Sequence, residues 1–191
     1  SGTSLEGASS CDMAFTHFKW EVSSNTDIIQ YSEFELWNGD SQVSTAGAVA
    51  TATDVRQDFG SNEGADKTID SDWSTKACCW FNTIVFQYSA AVAPTKFRYV
   101  TGNDAPERDP VQWTLKAGNG GINWVTVHTQ SSSASITTDR NVATQFFQVD
   151  MPQATLSPTP SPTVVNTLLR WTVSTNAVDG STGEAETQLS E

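Results

Sequence analysis

A strand-forming segment near the start of this chain recurs near its end. Phe18-Lys19-Trp20-Glu21-Val22-Ser23-Ser24-Asn25 reappears as Leu169-Arg170-Trp171-Thr172-Val173-Ser174-Thr175-Asn176, with Trp, Val, Ser and Asn in register. Gln30-Tyr31-Ser32-Glu33 is echoed by Gln188-Leu189-Ser190-Glu191. The offset is 151 residues at the tryptophan and 158 at the second block, so the later copy holds seven additional residues between its blocks. Self-similarity at a fixed offset is the signature of an array of like units. The later copy stops after its opening strand, which leaves an apolar strand without a domain of its own. Either the chain belongs to a longer tandem protein, or the strand belongs in a neighbour. Both readings imply assembly. Chance similarity in a Ser/Thr/Val-rich β sequence is the competing account.

Strand candidates follow from apolar alternation and β-branched or aromatic enrichment. They span 16–24, 29–37, 82–88, 95–101, 111–117, 123–129, 143–150 and 168–174. Helical periodicity is almost absent. Turn signals at Asn38-Gly39-Asp40, Asp104-Ala105-Pro106 and Gly118-Asn119-Gly120-Gly121 separate the runs. Regular short strands with such punctuation predict an all-β sandwich or barrel. Tyr31, Phe34 and Leu36 do not share one face of a strict alternation, so that strand carries a bulge or is buried on both sides. Trp113 and Leu115 share a face, and Trp124 is expected to pack with them from the next strand. The Ser-rich stretch 131–138 reads as a loop.

The predicted organisation is a flexible segment 1–14, a β-sandwich at 15–152, a linker at 153–167 and a terminal strand region at 168–191. Alternating proline in Ser157-Pro158-Thr159-Pro160-Ser161-Pro162-Thr163 forbids a sheet ladder and favours extended polyproline II, a semi-rigid spacer. Ser157, Thr159, Ser161 and Thr163 have the composition of O-glycosylated stalks, with an undecorated linker as the alternative.

The 191 residues carry a net charge of −12 with only ten Lys and Arg. Such a surface repels phosphates and anionic lipid, which argues against nucleic-acid partners. No apolar run approaches 18 residues, so no membrane insertion is expected. Low overall charge content with abundant Ser, Thr, Ala and Val is the profile of a secreted or cell-surface β protein. The cysteines are Cys11, Cys78 and Cys79. The expected arrangement is one bridge from Cys11 to Cys78 or Cys79, worth about 4 kcal/mol in the chain-entropy model. Neighbouring cysteines on a strand point to opposite faces, so one would face in and one out, and the remaining thiol would be buried or would pair between chains. A metal site is the weaker reading of three cysteines without a nearby histidine.

Three stretches together resemble discoidin-type domains, the coagulation factor 5/8 type C or galactose-binding-like family. Ile29-Gln30-Tyr31-Ser32-Glu33-Phe34-Glu35-Leu36 resembles the family's QLSEFELY strand. Ala65-Asp66-Lys67-Thr68-Ile69-Asp70-Ser71-Asp72-Trp73-Ser74-Thr75-Lys76 resembles its AxKAIDGDxxTKW loop. Thr101-Gly102-Asn103-Asp104-Ala105-Pro106-Glu107-Arg108-Asp109-Pro110-Val111-Gln112-Trp113-Thr114-Leu115, followed by Gly120-Gly121-Ile122-Asn123-Trp124, resembles NDAPxRDPxSWxLxGSxDGGxxW and is the most specific of the three. The resemblance covers roughly 15–150 and implies a discoidin-like antiparallel jelly roll.

The resemblance also implies a structural calcium ion in the loop 67–76. Asp70 matches the family's ligand, with Asp72 and Thr75 as oxygen donors and the Lys67 carbonyl as a backbone ligand. A solvated acidic loop is the alternative. Ser71 stands where the family has Gly, which matters if the position needs positive φ. Sugar-binding members stack loop aromatics on pyranose faces, which makes Trp73, Trp80, Trp37 and His17 candidates, with Arg56 and Asn62 for hydroxyls. A tryptophan in such a sequence is more often core than platform. Arg108 and Asp109 are expected in a structural ion pair or backbone clamp.

No nucleophile elbow, zinc-protease or phosphate-loop motif occurs, so no enzymatic activity is expected. Two functional readings remain. The first is an extracellular structural protein that assembles with itself head to tail. Leu169, Trp171 and Val173 alternate on a half-buried strand, and Phe18, Trp20 and Val22 already fill the equivalent place in the domain. Donation to the next subunit would complete its sheet and propagate a filament. The second is a carbohydrate-binding module of a larger secreted enzyme or adhesin.

Overall fold

The computed structural model describes residues 13–55 and 62–154 of the chain. The chain divides into two units, Ser1–Thr155 and Leu156–Glu191, and the fold described is that of the first. Cys11, Arg56, the linker positions Ser157, Thr159, Ser161 and Thr163, and the terminal-strand residues Leu169, Trp171 and Val173 lie outside the described residues.

Eleven strands are described: β1 (Phe15–Ser23), β2 (Ile29–Tyr31), β3 (Phe34–Asn38), β4 (Ser41–Gln42), β5 (Val49–Thr53), β6 (Ala77–Cys79), β7 (Thr83–Val92), β8 (Lys96–Tyr99), β9 (Gln112–Asn119), β10 (Ile122–Gln130) and β11 (Phe147–Gln148). They form a five-stranded sheet in the order β10-β9-β1-β7-β5, a four-stranded sheet β11-β8-β3-β4 and a small pair β2-β6. Every pairing between strands is antiparallel. The protein is an antiparallel β-sandwich, as the alternation predicts.

The core is aromatic. Trp20, on the central strand of the five-stranded sheet, is fully buried. Its ring lies 4.9 Å from Tyr31, 5.0 Å from Phe34 and 5.4 Å from Tyr99, so one side chain bridges all three sheets. Phe34 stacks on Phe86 at 4.4 Å, joining β3 to β7. Such ring pairs add roughly 0.5–1.5 kcal/mol each beyond the area they bury.

Segment 29–37 forms two strands in different sheets instead of one. Tyr31, Phe34 and Leu36 are all buried, and so are Gln30, Ser32, Glu33 and Glu35 between and beside them. The chain satisfies this two-sided burial by changing sheet at Ser32–Glu33. There Ser32 N donates to Val100 O and Val100 N donates to Glu33 O, each at 2.8 Å. The expected strand 143–150 shortens to β11 and a bridge between Ala143 and Val100. β4, β5 and β6 escape the pattern: β4 has two residues, β5 alternates Thr and Val with alanines too small to mark a face, and β6 is Ala77-Cys78-Cys79.

The β9–β10 hairpin turns on Gly120 and Gly121, at φ +64° and +71°, the double positive φ of a type I′ turn. Trp124 does not join Trp113 and Leu115 in the core. A register shift between Ile122 and Val125 puts it on the opposite, outward face. There a Cβ on Gly118 would lie 3.2 Å from the indole, and the Lys19 ammonium lies 5.1 Å from the ring centroid.

Removing the Trp20 ring should empty a site that no neighbour can refill. Trp20→Ala is expected to lower unfolding free energy by about 3–5 kcal/mol, measured by guanidinium titration. A loss below about 1 kcal/mol would contradict the central role given to this side chain.

Candidate functional site

Positions 63–76, between β5 and β6, carry the acidic loop. A short 3-10 turn at Ala65–Thr68 opens it, pinned by the Thr68 hydroxyl donating to Ala65 O at 2.7 Å. Ser71 adopts φ +64°, so the left-handed position is filled by serine where the resembled pattern has glycine, and the turn is kept. Asp70 then faces back across the loop. Its carboxylate accepts from the Thr75 hydroxyl at 2.9 and 3.1 Å and from the Asp72 N–H at 3.0 Å.

Glu33, from the break between β2 and β3, enters from the core side and is only 3 % exposed. Its Oε1 accepts from the same Asp72 N–H at 3.1 Å, which brings two carboxylates onto one donor. Burial is the first reason its carboxyl is pushed up to about 8, and the hydrogen bond and charge of neighbouring Asp70 add to it. The Asp72 side chain goes elsewhere: its Oδ1 accepts from Ser74 N at 2.9 Å and Ser74 Oγ at 2.6 Å, which holds its carboxyl below the usual value. Lys67 brings its ammonium to 3.3 Å from Asp70 and 3.6 Å from Asp66.

Of the residues expected at a metal, Asp70 and Thr75 therefore converge, Asp72 contributes its N–H while its carboxylate caps Ser74, and Lys67 presents its side chain. Sequence reasoning missed Glu33. Its signal was a glutamate inside a run buried on both faces, which demands a polar partner. The donor set is all oxygen, and a buried carboxyl lies against a second one. That suits a hard divalent cation and not a thiophilic metal.

Adjacent to the loop lies a second node. Lys76, nearly buried, donates to Gln30 Oε1 at 3.1 Å and to Asp104 Oδ1 at 2.7 Å. The Gln30 amide donates to the Asp104 carbonyl. Asp109 pairs with Arg140 at 2.6 and 3.0 Å, not with Arg108, so the expected structural ion pair exists with a different cation.

The sugar-contact candidates are not gathered into one place. Trp73 is 40 % exposed and Trp80 37 % exposed, so both are surface side chains and not core. Trp73 lies 6.0 Å from the Arg98 guanidinium, in a group with Trp37 and Phe146. No ring contact joins it to Trp80 among the described residues. Asn62, at φ +70°, is exposed near the start of the acidic loop. His17 shares a 2.8 Å hydrogen bond with Thr16 on β1.

The cysteines depart from expectation. Cys78 is disulfide-bonded to Cys79, its neighbour, and neither is left for Cys11. A cis peptide joins them. The Glu63 carboxylate lies within 4.8 Å of both sulfurs, but sulfurs in a disulfide are not metal-binding thiolates. No described helix is long and apolar enough to cross a membrane. No family model, curated protein or solved structure matches the chain.

Glu33 gives the domain a defined pH response. Its folded-state value lies above its ordinary 4.5, so the folded state holds the extra proton between about 4.5 and 8. With a chelator present, stability is expected to fall as pH rises across that window. Glu33→Gln should flatten the slope in melts at several pH values. An unchanged slope in the variant would remove Glu33 as its origin.

Proposed function

We propose that the chain is a non-catalytic, extracellular structural protein whose β-sandwich units join head to tail into a filament or surface array. The observation that carries this reading is the place of β1. It is the middle strand of the five-stranded sheet, paired from Phe15 to Glu21 with β7 and from His17 to Ser23 with β9. Phe18, Trp20 and Val22 are buried beneath it. A second strand of the same type at 168–174 calls for a second sheet of the same type, and a neighbouring unit supplies one. The contact is heterologous, so it propagates instead of closing. The Pro/Ser/Thr linker would set the spacing between units, with or without O-linked glycans. The Cys78–Cys79 disulfide favours an oxidising, extracellular setting.

The discoidin-type resemblance belongs to the same proposal, with calcium in the acidic loop. The carboxylates of Asp70 and Glu33 and the hydroxyl of Thr75 would hold the ion. It would neutralise the carboxylate pair and fasten the loop to the core through Glu33. At a hundredfold excess over its dissociation constant, such an ion stabilises the fold by about 2.7 kcal/mol. Calorimetry should show a melting temperature several degrees higher with calcium than with chelator, and Asp70→Asn should remove the difference. Equal melting temperatures in the unmodified protein would overturn the calcium assignment.

Assembly is tested separately by negative-stain electron microscopy. The full chain is expected to form regular fibres, and Trp171→Lys should leave dispersed particles with an unchanged domain melt. Fibres that persist in Trp171→Lys would rule out the strand joint.

A further inference from the structure

Three side chains of metal-binding type meet where the acidic loop begins. A carboxylate oxygen of Glu63 and the sulfurs of Cys78 and Cys79 all lie within 4.8 Å of one another. In the disulfide the two sulfurs are spent on each other. Opened to a dithiol, the same side chains become a pair of soft ligands beside a carboxylate.

The backbone holds the three together without the S–S bond. β6 pairs with β2, which sets Cys79 opposite Ile29 and Cys78 opposite Gln30. Cys78 N donates to Glu63 O at 3.1 Å and fixes the start of the loop against the strand. Reduction breaks none of these bonds. Cys78 is 1 % exposed, whereas Cys79 and Glu63 are half-buried, so an ion reaches the group from the Cys79 side.

Spacing, charge and softness select the occupant. Zinc bonds thiolate sulfur at about 2.3 Å and carboxylate oxygen at about 2.1 Å, so neighbouring ligands on a tetrahedral ion sit about 3.6 Å apart. A carboxylate oxygen within 4.8 Å of both sulfurs reaches that spacing by side-chain rotation. Two thiolates and a carboxylate bring three negative charges. A divalent cation cancels two of them, and the Lys76 ammonium, 3.8 Å from Glu63 Oε1, offsets the third. Sulfur ligands disfavour calcium and magnesium, which take oxygen, and water completes the fourth position on a zinc-type ion.

We propose that Cys78, Cys79 and Glu63 form a binding site for a thiophilic divalent cation of the zinc class, open in the dithiol and closed by the disulfide. A thiol reductant opens it. The protein S–S bond breaks, two reductant thiols join as a disulfide, and their two electrons and two protons pass to Cys78 and Cys79. The cation then takes both sulfurs as thiolates and releases their protons to solvent. Exchange with an external disulfide reverses both steps and expels the ion, so metal and protein disulfide exclude each other. The site shares no residue with the oxygen set of Asp70, Glu33 and Thr75, and it is independent of head-to-tail assembly.

The test uses the full chain carrying Cys11→Ser, in which the pair is the entire thiol complement. The chain is reduced with a dithiol, freed of reductant under argon and titrated with cadmium, whose ultraviolet charge-transfer band reports thiolate ligation. One cadmium per chain is expected in the reduced form and none in the oxidised form, and zinc should displace it. Glu63→Gln, at a half-buried position, should weaken binding by about tenfold, a cost of roughly 1.4 kcal/mol. Asp70→Asn should leave the affinity unchanged. Near-ultraviolet circular dichroism is expected to show the sandwich intact after reduction. Absence of the band in the reduced chain would overturn the inference. So would one cadmium shared between two chains, an unchanged affinity in Glu63→Gln, or loss of the fold on reduction.

Discussion

The segment Gln30–Glu35 is buried on both faces, and its side chains Gln30, Ser32, Glu33 and Glu35 draw their hydrogen-bond partners largely from distant parts of the chain. An unsatisfied buried polar group costs about 1–3 kcal/mol, and more when charged. Gln30 is met by Lys76 and by the carbonyls of Asp104 and Ala105. Ser32 donates to Thr101 O. Glu33 accepts from the Asp72 N–H in the acidic loop. Glu35 takes Arg98 at 2.6 Å and the Trp37 indole N–H at 3.0 Å. Four side chains in six residues thus tie down the loop 63–76, the turn at 101–105 and strand β8. The aromatic rings between them, Tyr31 and Phe34, supply contacts to Trp20. The same short run fastens the core and positions the loops, so core packing and loop geometry are coupled.

That coupling explains what could be read in advance. The sandwich was legible because period-two alternation in β1, β7 and β9 is strong and Gly120-Gly121 marks its hairpin unambiguously. The acidic loop was legible as a motif, and Asp70 and Thr75 do converge. Glu33 was hidden because its partner is 39 positions away, and a long-range pairing leaves no periodic trace. The Asp72 carboxylate is turned away from Asp70 by a local Asx-type bond to Ser74, and local bonds of that kind are favoured by proximity alone. The cysteines were read differently because a bridge between adjacent residues closes no long loop and leaves no spacing signal. Trp124 failed because an irregularity between Ile122 and Val125 resets its face, and bulges are invisible to alternation.

Charge shapes how such units could meet. Among the described residues, Lys19, Lys67, Lys76, Lys96, Arg98, Lys116 and Arg140 are all engaged in ion pairs with carboxylates of the same domain. These seven are most of the ten cations in a chain of net charge −12. Few remain to form bridges between units, so a joint between two copies cannot draw much on charge complementarity. It must instead overcome like-charge repulsion, which is screened beyond about 10 Å at 0.1 M salt. An apolar strand does this well, because hydrophobic burial of roughly 25 cal/mol per Å² is insensitive to the sign of either surface. In the proposed joint, Leu169, Trp171 and Val173 at alternate positions would meet that requirement, and the proline-rich stretch 157–163 would hold the acidic bodies apart.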